Sequence, residues 1–124
     1  MAAIASAAGE MPGLRLLVLH GSQARADAHA LSDWDFAYEA DEALDADALL
    51  ASLADVLKVD RIDLVNLDRA GALLRHRVAR DGVALVERPA GRFLSFRLEA
   101  VRAWCDLAPV LEPLYERVLE RTTR

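Results

Sequence analysis

Residues 14–35 read LRLLVLHGSQARADAHALSDWD, and their pattern predicts two strands of one sheet. The segment 14–20 is short and almost wholly apolar, which is typical of a central strand buried on both faces. The dipeptide Gly-Ser at 21–22 ends this run, and a turn or short helix is expected to follow. A second strand is predicted over 33–40, because this segment is rich in aromatic residues.

The rest of the chain alternates between helical and extended patterns. The further predicted elements are an amphipathic helix over about 45–57, a strand over 61–67, a helix over about 70–80, a strand over 82–87 and a long helical segment over 91–121. Pro109 and Pro113 should kink or split the last of these. The order predicts an α/β or α+β fold in which helices cover one mixed four-stranded sheet.

The length of 124 residues and the 54% of apolar residues suit one globular domain with one core. We therefore expect a single domain over 1–124, with a frayed or weakly helical start over 1–12 and the helical segment over 91–121 at its end. Cys105 is the only cysteine, which favours a buried thiol in a protein of the reducing cytoplasm. No stretch without a charged residue exceeds 9 residues, so no membrane span is expected.

Charge is unevenly distributed along the chain. Residues 1–68 contain 4 Lys and Arg against 13 Asp and Glu, whereas residues 69–124 contain 11 against 7. This asymmetry argues against a nucleic-acid binder with one broad basic face, and the aromatic content of 6% is low for base stacking. The acidic first half can instead hold a cation.

Three aspartates are the candidate catalytic and metal-binding residues. Asp33 and Asp35 are two residues apart in a predicted strand, so their side chains share one face while Trp34 points to the other. Asp63 alternates with apolar residues, and an adjacent strand can bring it beside the pair. Carboxylate oxygens suit Mg²⁺, and three carboxylates can hold two metal ions that activate an attacking oxygen and stabilise a leaving pyrophosphate.

Gly21 and Ser22 are candidates for phosphate binding. They stand where a buried strand ends and a helix is predicted to begin, and free backbone N–H groups at such a point favour an anion. Glycine allows close approach of the backbone, and the serine hydroxyl adds a donor. Arg25 can meet a triphosphate from the first turn of the helix, or it is an ordinary surface cation.

These motifs resemble the minimal nucleotidyltransferases of the DNA polymerase β superfamily. The resemblance rests on Gly-Ser-Gln-Ala-Arg-Ala at 21–26, Asp-Trp-Asp at 33–35 and Ile-Asp-Leu-Val-Asn-Leu at 62–67. Residues 73–82 and the predicted helix from 105 to 117 also resemble the antitoxin branch of this group. The resemblance implies a polymerase β-like nucleotidyltransferase fold with a long C-terminal helix.

The resemblance also implies a function and its participants. The expected protein is cytoplasmic, forms a hetero-oligomer with a HEPN-domain ribonuclease toxin and silences that toxin by transferring AMP from ATP to a toxin tyrosine. By the same resemblance, Asp33 and Asp35 would bind two Mg²⁺ ions, Asp63 would bind the ion on the nucleophile side and help to remove the tyrosine proton, and Gly21 with Ser22 would bind the nucleotide phosphates. Direct binding to nucleic acid or to a membrane is not expected.

The sequence departs from the family pattern in the phosphate turn. The family commonly has Gly-Ser-Arg-Ala-Arg-Gly, whereas this chain has Gln23 and Ala26 in place of an Arg and a Gly. One phosphate-facing charge is therefore lost.

Two other hypotheses about the function stay open. The first is an antitoxin that only binds and occludes the toxin through its C-terminal helix. The second is a nucleotidyltransferase that modifies a small molecule such as an aminoglycoside.

Other notable residues are expected to have structural roles. His20 should be a satisfied structural residue rather than a general base, and His29 should be exposed to solvent. The basic stretch at 75–80 should be a solvated face, with docking to an acidic partner as the alternative. Any uncovered part of the C-terminal apolar stripe would be an association surface. Its candidate anchors are Trp104, Leu111 and Tyr115.

Overall fold

Four strands form one mixed sheet in the computed structural model, which describes residues 2–24, 33–59 and 61–123. The strands are β1 (Leu14–His20), β2 (Trp34–Ala40), β3 (Ile62–Asn66) and β4 (Val83–Glu87). Their order across the sheet is β3-β2-β1-β4. The central strand β1 is antiparallel to β2 and β4, whereas β2 and β3 are parallel. The predicted mixed four-stranded sheet is confirmed.

Helices cover both faces of this sheet. They are α1 (Ala2–Gly9), the single turn α2 (Gly21–Ala24), α3 (Ala46–Leu57), α4 (Ala72–Asp81) and the long α5 (Arg92–Thr123). A 3-10 turn over Leu67–Arg69 joins β3 to α4. No helix in the described ranges is both long and apolar enough to cross a membrane.

The residues of the sheet alternate between two cores. One core lies beneath α1 and α3, and the other lies beneath α4 and α5. The first includes Leu17, Leu19, Phe36, Ile4, Leu49 and Leu53. The second includes Leu16, Val18, Ala37, Val78, Phe96 and Ala100. Because successive side chains of a strand point to opposite faces, β1 contributes to both cores, as its continuous apolar run predicts.

The helix α3 follows its sequence signals closely. Its N-cap is Asp45, whose side chain accepts hydrogen bonds from the backbone N–H groups of Asp47 at 3.0 Å and Ala48 at 3.2 Å. It ends at Lys58, which has a left-handed φ of 57°. These bounds agree with the helix predicted over 45–57.

An ion pair ties the start of α5 to β2. Arg92 Nε donates to Glu39 Oε1 at 2.6 Å, and Arg92 Nη2 donates to Glu39 Oε2 at 2.7 Å. The Glu39 side chain is only 7% exposed. Arg92 also donates to Glu99 at 3.2 Å and 3.3 Å, and these hydrogen bonds lower the pKa of Glu99. The two-pronged geometry sets the position from which α5 crosses the sheet.

The start of the chain, expected to be frayed or weakly helical, is a helix that packs on the first core. Residues 2–9 form α1, in which Ile4 is 2% exposed and Ala8 is fully buried. These two residues are four apart, so they lie on one side of the helix and cover the first core.

The C-terminal segment is one helix, α5, through Pro109 and Pro113, so the prolines do not split it. The expectation of a buried Cys105 is wrong, because this thiol is exposed. The reason is that α5 reaches the core through Phe93, Phe96 and Ala100, and the described side chains beyond that point lie outside the core.

Candidate active site

The parallel pairing of β2 with β3 places two carboxylates side by side. Asp35 of β2 is the direct register partner of Asp63 of β3. Directly paired residues of neighbouring strands lie about 5 Å apart. The sheet therefore brings together two acidic residues that are far apart in sequence.

Both carboxylates point to the same face of the sheet. Trp34 and Phe36, which flank Asp35, pack into the core beneath α1 and α3. Ile62 and Leu64, which flank Asp63, pack against that same core. Asp35 and Asp63 must therefore face the opposite side, toward α4, since neighbours in a strand alternate.

Two cavities open around these residues, and Asp63 lines both. The smaller cavity has a volume of about 370 Å³ and is lined by Asp33, Arg61, Ile62 and Asp63. The larger cavity, about 520 Å³, includes Asp35 and Asp63 on the sheet and Arg77, Arg80 and Asp81 on α4. The structure thus brings all three predicted aspartates to adjoining cavities, with Asp33 next to one and Asp35 next to the other.

The carboxylates have the chemistry of a magnesium site. Among residues 2–24, 33–59 and 61–123, however, no group of three or more His, Cys, Asp or Glu side chains is arranged to hold a metal ion. The opposed Asp35 and Asp63 offer hard oxygen ligands on one face, and Asp33 lies beside Asp63. These donors fit Mg²⁺ better than a soft metal, which would prefer thiolate or imidazole.

Gly21 permits the close approach between the turn and Asp35. Its φ is +73°, a left-handed conformation that L side chains rarely adopt. A Cβ at this position would overlap Asp35 Oδ2. Gly21 and Ser22 begin α2 directly after β1, as predicted, and Gly21 lines the larger cavity. The glycine is therefore required by the carboxylate as well as by the turn.

His20 lines the larger cavity beside these groups. It is the register partner of Asp35 in the antiparallel pair of β1 and β2. Burial lowers its pKa, while the charges of Asp35 and Asp63 and a hydrogen bond with the Phe36 backbone act in the opposite direction. Its Nε2 atom is buried and has no hydrogen-bond partner in the part of the chain that the structure describes. The expected satisfied structural histidine is therefore not found there.

The helix α4 supplies the other wall of the larger cavity, and sequence reasoning missed this role. Arg77 and Arg80 are exposed, as expected of a solvated face, but they also line the cavity. Arg75 differs from this expectation, because it donates to the Leu67 carbonyl at 2.6 Å and its guanidinium lies 5.0 Å from the ring centre of Phe96. The three-residue spacing of Arg77 and Arg80 is the signal that could have placed them on one helix face.

Two residues singled out in the sequence lie outside the described residues. Arg25, the candidate phosphate ligand, is one of them, and His29 is the other. The side chains of the candidate anchors Leu111 and Tyr115 are likewise outside the described part, whereas the ring of Trp104 stacks on His76 at 4.9 Å.

Comparisons with known proteins agree with this fold and with the class of enzyme. The chain is 38% identical over 121 residues to the "Protein adenylyltransferase MntA" of Aphanizomenon flos-aquae, an alignment that covers 88% of this chain and 81% of the relative. A crystal structure of a toxin-antitoxin with AMP-PNP has a TM-score of 0.74 at 26% identity, covering 90% of each chain. A Shewanella oneidensis structure of a tri-AMPylated HEPN toxin in complex with MNT antitoxin has a TM-score of 0.65 at 27% identity, covering 88% of this chain and 86% of that one.

The layered sheet, the turn after β1 and the paired carboxylates on neighbouring strands define a nucleotidyltransferase domain. The family described as "Polymerase beta, Nucleotidyltransferase" matches residues 3–90, and this chain belongs to it. The fold and enzyme class predicted from the sequence are confirmed.

Proposed function

We propose that this protein is a cytoplasmic antitoxin that transfers AMP from ATP to a tyrosine of a HEPN-type toxin. The observation that carries the proposal is the direct pairing of Asp35 with Asp63 on the face that lines the larger cavity. Further support comes from the relatives, one of which is named a protein adenylyltransferase and another of which is bound to a tri-AMPylated HEPN toxin.

The reaction forms one bond between phosphorus and oxygen and breaks another. The tyrosine oxygen attacks the α-phosphorus of ATP, the bond from that phosphorus to the oxygen bridging to the β-phosphate breaks, and pyrophosphate leaves. The carboxylate of Asp63 accepts the phenolic proton. Asp63 suits this task because it lines both cavities, so molecules that enter by either cavity can reach its carboxylate.

The remaining residues hold the substrate. The phosphates are bound by the backbone N–H groups of Gly21 and Ser22, by the Ser22 hydroxyl and by the Arg25 guanidinium. Asp33, Asp35 and Asp63 would hold two Mg²⁺ ions, which would supply positive charge to the attacking oxygen and to the phosphates.

Labelled ATP tests this proposal directly. The chain is incubated with Mg²⁺, a HEPN-domain protein as acceptor, and ATP labelled at either the α- or the γ-phosphate. We expect label on the HEPN protein from α-labelled ATP only, with none after chelation of Mg²⁺ by EDTA. Replacement by asparagine in the variants Asp35→Asn and Asp63→Asn should reduce the rate at least about 100-fold. The matched control is Asp106→Asn, which changes an exposed carboxylate of α5.

Two results would reject the proposal. One is transfer of the γ-label, which would indicate phosphorylation rather than transfer of AMP. The other is a rate for Asp35→Asn or Asp63→Asn that equals the rate of the control.

A binding-only antitoxin is the second candidate, and one observation favours it. Leu94, Leu98 and Val101 of α5 are 62%, 59% and 47% exposed, which is unusual for large apolar residues on a small domain. If occlusion by α5 neutralises the toxin, a chain carrying both Asp35→Asn and Asp63→Asn still protects cells that express the toxin. Loss of protection in that variant, with the toxin complex intact, would exclude this candidate.

A further inference from the structure

The arginines of α4 differ in what they contact. Arg75 is held by the Leu67 carbonyl and the Phe96 ring. Arg80 binds Asp81 through two hydrogen bonds, of 3.1 Å and 2.9 Å, so its charge is largely compensated. Arg77 is exposed and makes no hydrogen bond or ion pair within the described part of the chain.

The position of Arg77 is opposite the acidic pair. It lines the 520 Å³ cavity from α4, while Asp35 and Asp63 line it from the sheet. The cavity therefore has one cationic and one anionic wall, and its volume is in the range of small-molecule sites. A ligand that suits both walls carries phosphate beside the carboxylates, whose charge bound divalent ions would offset, and further anionic charge beside Arg77.

A nucleoside triphosphate has this distribution of charge. The reacting α-phosphate belongs beside the carboxylates, and the β- and γ-phosphates extend away from it. This chain has Gln23 where the family commonly has an arginine in the phosphate turn, so the turn offers one cation fewer to the phosphates and leaves room for a cation from another element.

We propose that Arg77 binds the β- and γ-phosphates of the nucleotide from across the cavity and replaces the charge that Gln23 lacks. The inference rests on the proposed function, because it takes the larger cavity to be the nucleotide site. Arg77 acts as a substrate-binding residue, and its guanidinium also stabilises the leaving pyrophosphate.

Nucleotide binding in the presence of Mg²⁺, measured by calorimetry, tests the inference. The probes are α,β-methylene-ATP, which cannot be cleaved between the α- and β-phosphates, and AMP, which lacks the outer phosphates. We expect Arg77→Gln to weaken binding of α,β-methylene-ATP about 10-fold or more and to leave AMP affinity unchanged. Arg77→Lys should recover part of the loss. The matched control, Arg102→Gln, removes an exposed arginine of α5 and should change neither affinity.

The outcomes separate this inference from the proposed function. Unchanged affinity of Arg77→Gln for α,β-methylene-ATP would overturn the role of Arg77 alone. An equal loss of affinity for both probes would also overturn it, since that result would point to a general disturbance of the site. A wild-type chain that binds neither probe would overturn the proposed function, and this inference with it.

Discussion

Gly21 combines two requirements at one position, and they can be separated by mutation. In Gly21→Ala, a Cβ would meet Asp35 Oδ2 and would also strain the positive φ. We expect the free energy of unfolding to fall by about 2–3 kcal/mol. AMP transfer should fall about 100-fold, because the Asp35 carboxylate must move. Urea denaturation and the α-label assay measure these two effects.

Two other glycines provide controls for this substitution. Gly91 has a φ of +87°, but no described atom lies within 4 Å of the position a Cβ would take, so Gly91→Ala should cost only about 1 kcal/mol. Gly71 has a φ of −75° and an equally open surrounding, so Gly71→Ala should cost nothing measurable. Equal losses at Gly21 and Gly91 would contradict the argument that Asp35 needs the space.

His20 reports the electrostatics of the larger cavity. Burial lowers its pKa from the usual 6.5, and Asp35 partly opposes that shift. NMR titration of the imidazole should therefore give a midpoint below 6.5 in the wild type and a still lower one in Asp35→Asn, but no change in Asp106→Asn. A midpoint that rises in Asp35→Asn would show that the two groups do not interact as the geometry requires.

The lowered pKa of His20 makes the free energy of unfolding depend on pH. Below 6.5 the unfolded chain takes up a proton at His20 that the folded chain resists. The free energy of unfolding therefore falls as the pH is lowered through 6.5 toward the folded pKa, and His20→Gln should reduce that dependence.

Among the helices and strands, β2 and α5 are joined by one buried ion pair, Glu39 with Arg92. Glu39→Gln removes a buried charge from the Arg92 guanidinium and leaves that cation with a weaker partner. We expect a loss of about 3 kcal/mol in the free energy of unfolding. Glu42→Gln, an exposed change, is the control and should have no measurable effect on urea denaturation. Equal stabilities of the two variants would mean that the pair does not hold α5.

The elements differ in how far their sequence predicts them. The strands were predicted within about a residue, because apolar runs and alternation are local signals that tertiary packing reinforces. The bounds of α1 were not predicted, because its single buried isoleucine gives little periodicity over eight residues. Burial along α5 was overestimated, because an apolar stripe shows which side of a helix can pack but not where the sheet beneath it ends.

The site was predicted unevenly for a similar reason. Asp33, Asp35 and Asp63 could be recognised from strand alternation, and the sheet register brings Asp35 and Asp63 together. The position of Arg77 beside the cavity could not be recognised in this way, because it depends on which face of α4 covers the sheet. That face is decided by contacts of Val78 and Ala79 with residues distant in sequence. The role of the three aspartates in metal binding and the role of Arg77 in nucleotide binding are predictions.

At the scale of the whole molecule, α5 has an exposed apolar stripe formed by Leu94, Leu98 and Val101, and we expect a HEPN partner to bind there. In a chain with both Leu94→Lys and Leu98→Lys, the free energy of unfolding should stay within about 0.5 kcal/mol of the wild type, since both side chains are already exposed. Binding to the HEPN protein, measured by calorimetry, should be lost.

A leucine on the other side of the sheet is the control for this test. Leu50→Lys changes an exposed leucine of α3, which packs on the opposite face, and should leave partner binding intact. Binding that survives both lysines of α5 would place the partner elsewhere on the molecule.

The pairing of β2 with β3 also has a consequence for biosynthesis. These strands are parallel, so the chain must cross over through α3 before they can pair. A nascent chain that has emerged only as far as α3 has Asp35 but no Asp63 beside it. The proposed active site can therefore form only after β3 has been synthesised, as a property of the completed sheet rather than of its first hairpin.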